Sequence, residues 1–482
     1  MPSMRPVVYV VGLMLCVLGL AMLIPMAVDL AAGHSDWPSF LGGSLITLFA
    51  GGLMIAGSGR PDAALRRRQA FLLTASVWCA LPVFGALPFL FAHADLDLTD
   101  TIFEAVSGIT TTGATVMVGL DREAPGILLW RSILHWIGGI GVIVMAIAIL
   151  PLLQVGGMQL FHTESSDLSE KAFPRARQIA AGITRVYLVL TVLIGVALWL
   201  CGMTPFEAIN HAMATISTGG FSTRDASIGG FNSAAIEWVT IAGMLAGGVT
   251  FMLYLRLVAG DWTCFLRDTQ TRMMLAVILA AVSATVVMRV VQTDADALGS
   301  IRPALFNVVS IITTTGFVTQ DYGLWGAFAP TIFFILTFLG ACAGSTSGGF
   351  KMFRLAILLR FATILLNRAI SPHRVVVVRY AGRTLEDSVA LAVLGFVGLW
   401  VAVWAVMALG LGLTGMDFIA ATSSAATALA NVGPGLGPQV GPAGNFAGVG
   451  DAAKWIMIAG MLLGRLELVT ILVLFMPAFW RN

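Results

Sequence analysis

The stretch Ser310 to Gln320 reads SIITTTGFVTQ. An apolar run ends in three threonines and one glycine, residue types that are poor helix formers, yet it sits among segments long enough to cross a bilayer. The same shape returns along the chain: TIFEAVSGITTTGAT from Thr101, TPFEAINHAMATISTGGFST from Thr204, ALFNVVSIITTTGF from Ala304 and, more drifted, MDFIAATSSAATALANVGPG from Met416. Each copy lies between two long apolar runs. Phe103, Phe206, Phe306 and Phe418 mark corresponding starts, and Gly113, Gly219, Gly316 and Gly433 corresponding ends. The spacing from Phe to Gly is shorter in the first and third copies than in the second and fourth.

Composition sets the medium. Of 482 residues, 58% are hydrophobic and 11% charged, against about 25% charged in a soluble chain; mean hydropathy is +0.91. Apolar runs of about 20 residues recur from end to end, each matching a hydrocarbon core. The chain therefore reads as an all-α polytopic membrane protein. A transmembrane barrel would need short alternating segments, and these are not found. The run from Val7 to Leu30 lacks a small-residue cleavage site and reads as a retained helix.

Basic residues cluster at Arg60 and Arg66 to Arg68, at Lys171, Arg175, Arg177 and Arg185, at Arg256, Arg267 and Arg272, and from Arg360 to Arg383. The loops between are acidic or uncharged. Excess Lys and Arg marks the cytoplasmic side, which places both termini inside. The short segments hold about three helical turns and cannot span. With both flanks outside, each must dip in and return. Irregular backbone at membrane depth is tolerated where it is buried in protein or lines a wet cavity, so four such loops are expected to surround one axis.

The expected architecture is four fused helix–pore loop–helix repeats around a pseudo-fourfold pore, preceded by an N-terminal helix pair. Its units are residues 1–62, 63–160, 161–262, 263–370 and 371–482. A half-helix entering from outside points its negative dipole end at the membrane centre, favouring cations. The backbone beyond it can aim carbonyls at the axis, as potassium filters do. The candidate ligands are Thr111, Thr112 and Gly113; Ser217, Thr218 and Gly219; Thr314, Thr315 and Gly316; and Asn431, Val432 and Gly433. Glycine permits the dihedrals this requires, and threonine adds a hydroxyl below the carbonyls.

These repeats resemble the Trk, Ktr and HKT superfamily of potassium transporters, specifically the TrkH type, which carries an extra N-terminal helix pair. The resemblance covers essentially the whole chain. It implies K+ as transported ion with no organic cofactor, a bacterial cytoplasmic (inner) membrane location, homodimer assembly, and a cytoplasmic nucleotide-binding partner of the TrkA type; no nucleic-acid partner is expected. In plant relatives, serine at the first filter glycine accompanies sodium selection. Retention of Gly113 favours potassium over the alternative, a sodium-permeable or sodium-coupled transporter on the same scaffold. Asn431, in place of a threonine, breaks strict fourfold symmetry.

The second long run of repeat three is interrupted by GACAGSTSGGFK, Gly340 to Lys351. Residues Gly344, Ser345, Thr346, Ser347, Gly348 and Gly349 are either a gate below the filter or a close helix crossing that exploits small side chains. The resemblance implies a movable loop that obstructs the pore. Arg465, in MIAGMLLGRLELVTILVLF, is costly at membrane depth. It reads either as an ion pair to a neighbouring helix or as a barrier in the pore; the resemblance favours the barrier. Lys351 and Arg354 read as cytoplasmic anchors, Glu104 and Glu207 as dipole caps at half-helix starts, and His135 and His211 as packing residues. The basic inner loops, notably Arg360 to Arg383, either dock the partner or simply set topology. The five scattered cysteines form no C-x-x-C pair and read as small core residues. An intramembrane serine protease would need a Ser/His pair on facing helices and gives no reason for a fourfold repeat, so the chain is not expected to be an enzyme.

Overall fold

The computed structural model describes residues 4–59, 66–92, 96–148, 172–371, 379–380, 383–384 and 387–481. Arg60, Lys171, part of the fourth basic cluster (372–378) and the unit junctions at 62/63 and 160/161 lie outside them. Apart from a two-residue strand pair, Arg379–Tyr380 with Arg383–Thr384, every regular element among the described residues is helical. Among the described residues seven helices are long and apolar enough to cross a membrane, or nine if two sharply bent pairs are each one span.

The N-terminal pair is a helix broken at Met22 (Arg5–Ala21, Leu23–Ala32) and its neighbour Trp37–Ser58. Glycines set how closely they approach: a Cβ on Gly51 would sit 2.8 Å from the Cys16 sulfur. The pair is tied to the rest of the chain by Asp29. This carboxylate is fully buried and accepts the Gly126 N–H at 2.6 Å, capping in trans the helix Pro125–Ala148, whose first N–H groups have no intrahelical partner.

Four units follow. Their first helices are Arg67–Gly85 (continued by Leu87–Ala92), Ala172–Leu200, Thr269–Thr293 and Asp387–Leu413. Their half-helices are Leu98–Ile109, Pro205–Ile216, Ala297–Ile312 and Phe418–Ala430. Each half-helix starts on a side-chain cap, Asp97, Thr204, Asp296 or Asp417, an interaction worth about 1 kcal/mol. Their last turns are buried on all sides. A helix buried all round, at the centre of the molecule, cannot be an ordinary amphipathic surface helix.

The closing helices of the units differ. That of the first, Pro125–Ala148, is continuous. In the second, Ala234–Gly248 and Phe251–Val258 meet at 94°; in the fourth, Asp451–Arg465 and Val469–Phe475 meet at 103°. In the third, Phe328–Phe338 and Met352–Ile370 are separated by the glycine-rich loop. The sequence reading anticipated a break in the third unit alone. The other two occur at Gly248-Val249-Thr250 and Leu466-Glu467-Leu468, where apolar residues hide the break. Glu467 and Leu468 take φ of 59° and 44° there.

The cysteines are free; Cys264 and Cys342 are buried as expected, but Cys79 is exposed. No cluster of metal-ligating side chains occurs among the described residues.

Candidate functional site

Each half-helix ends in the same way. Thr111, Thr218, Thr314 and Asn431 adopt left-handed backbone, with φ of 52°, 50°, 56° and 55°. The N–H of each bonds back into the last turn, to Gly108, Thr215, Ile311 and Ala428. The next N–H reaches one residue further, Thr112 to Ser107, Gly219 to Ala214, Thr315 to Ser310 and Val432 to Thr427, at 2.9, 2.8, 2.8 and 3.1 Å. This is the Schellman arrangement, normally built on glycine. A β-branched residue there is a genuine outlier and costs about 1–2 kcal/mol. It persists at three threonines because buried surroundings over-determine it, a pattern associated with functional sites.

The shared geometry corrects the register of the second unit. Positive φ next recurs at Gly113, Gly220, Gly316 and Gly433. Gly220, not Gly219, is the counterpart of Gly113, and Ser217 is the helix C-cap, its hydroxyl donating to the Met213 carbonyl at 2.7 Å. The phenylalanine starts shift too. Phe103 and Phe306 stand eight residues before the left-handed positions 111 and 314, whereas the same offset gives Asn210 and Ser423 in the other units. The unequal Phe-to-Gly spacing arose because Phe206 and Phe418 are not structural counterparts of Phe103.

The four glycines close a ring. A Cβ on Gly113 would collide with the Gly219 carbonyl oxygen, one on Gly220 with that of Thr315, and one on Gly316 with that of Val432. One on Gly433 would lie 2.9 Å from the Thr112 oxygen. Units one to four thus contact in order, and the fourth returns to the first. The carbonyls of Thr112, Gly219, Thr315 and Val432 occupy one layer of that ring. The hydroxyls of Thr112 and Thr315 are engaged with Thr110 and Thr313 at 2.7 and 2.8 Å, and the buried Thr111 hydroxyl has no partner. Asn431 spends its amide N–H groups on Thr112 Oγ1 and the Met461 carbonyl, both at 2.9 Å.

Side chains behind the ring hold the returning strands. Glu104 lies mid-helix and fully buried, not at the helix start. It accepts from Thr115 Oγ1, the Val116 N–H and Arg131 Nε at 2.9, 3.0 and 2.7 Å. Glu207 is at a start, in a capping box with Thr204, and also pairs with Arg224 at 2.7 Å. His135 and His211 do more than pack. His135 bridges the Gly108 carbonyl (2.7 Å) and the Phe221 N–H (3.2 Å), and His211 Nε2 lies 2.9 Å from Ser222 Oγ. The sequence reading missed Arg131; a lone arginine inside LLWRSILHW is the signal that a partnered intramembrane charge leaves.

On the side toward which the half-helices point, the loop from Gly340 to Phe350 crosses directly against the ring. The Thr346 hydroxyl lies 3.0 Å from the carbonyls of Ile216 and Gly247 and accepts from Thr218 Oγ1 at 3.2 Å. The Gly348 N–H donates to Thr314 Oγ1 at 2.7 Å, and Cys342 and Phe251 tie the loop to the break in unit two through Gly248 and Gly344. Arg465 Nη1 donates to the Thr346 carbonyl at 2.9 Å, while its Nε and Nη2 have no partner. Glu467 pairs with Arg354 instead; it lies beyond the helix, which ends at Arg465. Lys351 and Arg354 are buried, correcting their reading as cytoplasmic anchors: Lys351 Nζ donates to the Ser347 carbonyl, and Arg354 lies 3.8 Å from the Phe396 ring centroid.

Among the described residues, seven to nine helices long and apolar enough to cross a membrane, with four half-helices whose ends converge as a closed carbonyl ring, define a pore-loop membrane protein. A family model, TrkH, described as cation transport protein, matches residues 38–482, and the chain belongs to that family. It is 43% identical over 478 residues to the Trk system potassium uptake protein TrkI of Halomonas elongata, covering 99% of this chain and 97% of that one. It is 39% identical over 483 residues to the Trk system potassium uptake protein TrkH of Escherichia coli K12, covering 99% of each. The crystal structure of the potassium transporter TrkH from Vibrio parahaemolyticus matches with a TM-score of 0.92 at 36% identity, over 99% of this chain and 100% of that one.

Proposed function

We propose that this chain carries K+ into the cell across the bacterial cytoplasmic membrane, through a pore whose filter is the closed ring of four returning strands. The observation that carries the reading is the cyclic contact of Gly113, Gly220, Gly316 and Gly433, each with a carbonyl of the next unit. Backbone oxygens in this arrangement replace the hydration shell of a cation, and the half-helix dipoles favour positive charge at their ends. The ligands we assign are the backbone oxygens of Thr111, Thr112, Thr218, Gly219, Thr314, Thr315, Asn431 and Val432. Membership of a cation transport family, and relatives named for potassium uptake, support K+ as cargo.

The loop Gly344 to Gly349 acts as the gate and Arg465 as a cation barrier beneath it. The reading is supported by the hydrogen bonds of Thr346 and Gly348 to the ring residues and by the two unpartnered donors of Arg465. Of the five units, 63–160, 161–262, 263–370 and 371–482 each supply one strand of the ring, and 1–62 is the N-terminal brace. Both termini face the cytoplasm by the distribution of Lys and Arg. A homodimer with a cytoplasmic nucleotide-binding subunit of TrkA type would complete the system, docking on the basic inner segment 360–383. No catalytic role is assigned.

Expression in a potassium-uptake-deficient bacterium tests the reading. Growth at low external K+ is expected; failure to grow, with the chain inserted in the membrane at normal abundance, contradicts it.

A further inference from the structure

Arg131 is 1% exposed and pairs with the fully buried Glu104. Its guanidinium touches two successive units. Nε bonds Glu104 at 2.7 Å and Nη2 bonds Thr115 Oγ1 at 3.1 Å, both in unit one. Nη1 bonds the Ser222 carbonyl at 2.9 Å, in the returning strand of unit two. The same guanidinium lies 4.0 Å from the centroid of Phe221, the residue after the ring glycine Gly220. One helical turn on, at the i+4 position of the same face, His135 stacks on Phe221 at 4.1 Å and bridges Gly108 to the Phe221 N–H.

The counterparts of Glu104, at the same offset from the left-handed residue, are His211, Asn307 and Ser424. Units two and three grip their own strand by an imidazole–hydroxyl contact and by an amide: His211 to Ser222, and Asn307 to Thr319 at 3.0 Å. In unit four the neighbouring Ser423 accepts the Leu436 N–H at 2.9 Å. A buried ion pair offers little stability over an apolar substitute, so its retention calls for a role in specificity. Its rigid planar fork fixes direction as well as distance, which a lysine or an amide does not.

We propose that Arg131, aligned by Glu104 and Thr115, is a positioning residue that sets the spacing of the unit-one and unit-two strands, and through it the discrimination between K+ and Na+. The inference rests on the potassium-pore reading. The ring oxygens must match one ionic radius, and Arg131 is the side chain that bonds to both strands at once, so loosening it lets their spacing drift.

The test compares K+ and Na+ permeability of the full chain in liposomes, for the wild type and for Glu104→Gln, Thr115→Val and Thr115→Ser. Thr115→Val removes the hydroxyl shared by Glu104 and Arg131 without leaving a buried charge unpaired. Glu104→Gln and Thr115→Val are expected to lower the K+/Na+ ratio about tenfold, the scale of one lost hydrogen bond to a charged group, and Thr115→Ser to retain the wild-type ratio. A role in stability alone would lower the melting temperature and leave the ratio unchanged in both, which overturns the proposal. If Glu104→Gln does not reach the membrane, Thr115→Val decides by the same criterion. A wild type that shows no K+ preference would instead overturn the pore reading, and this inference with it.

Discussion

Thr314 and Gly316 both take positive φ, 56° and 81°, within three residues of chain. The threonine is forced into a left-handed conformation it disfavours, and the glycine occupies one that only a residue lacking Cβ can take against the Val432 carbonyl. Gly316→Ser therefore strains the backbone and displaces a ring oxygen together. Its K+/Na+ discrimination should fall by at least about tenfold in flux measurements, since selectivity depends on where those oxygens sit. Gly220→Ser should behave alike, because Gly220 meets the Thr315 oxygen in the same way. Wild-type discrimination in both variants would contradict the ring assignment. Three of the four Thr-Gly and Val-Gly endings could be placed from sequence. The second could not, because Ser217-Thr218-Gly219-Gly220 offers two adjacent glycines, and only the backbone tells which takes positive φ. Arg131 and Glu104 were illegible as a pair for a different reason: they lie on separate helices and meet only when the half-helix is folded back.

At the scale of elements, the loop Gly340 to Phe350 meets the ring through Thr346, Ser347 and Gly348. On the proposed gate reading, these bonds break when the loop opens. Thr346→Val removes a hydroxyl that lies against two carbonyls, and flux should rise about fivefold, the scale of one net hydrogen bond. Deletion of Ser345 to Gly349 should raise it further. Reduced flux in a well-folded deletion would favour a packing role for the small residues. This break was visible in the sequence because six small residues stand together. Those after Gly248 and Arg465 were not, because valine and leucine continue the hydropathy through the bend and only dihedrals such as φ of 59° at Glu467 reveal it.

The whole molecule is a closed cycle of four units braced by an N-terminal pair. Its outline was legible because repetition survives sequence drift, and because half-length apolar segments have few places to go in a bilayer. What repetition concealed is the asymmetry. One seam is crossed by Arg131, whose ion pair with Glu104 lies within unit one, one carries the Asn431 bridge to Thr112, and the glycine-rich loop enters from the third unit alone. On the proposed reading, closure lets the carbonyls surround a cation on all sides. The most direct test is rubidium uptake by the purified full chain in liposomes, with K+ or Na+ as competitor. Strong inhibition by K+ and little by an equal concentration of Na+ is predicted. Equal inhibition by the two ions would contradict a closed potassium-selective ring.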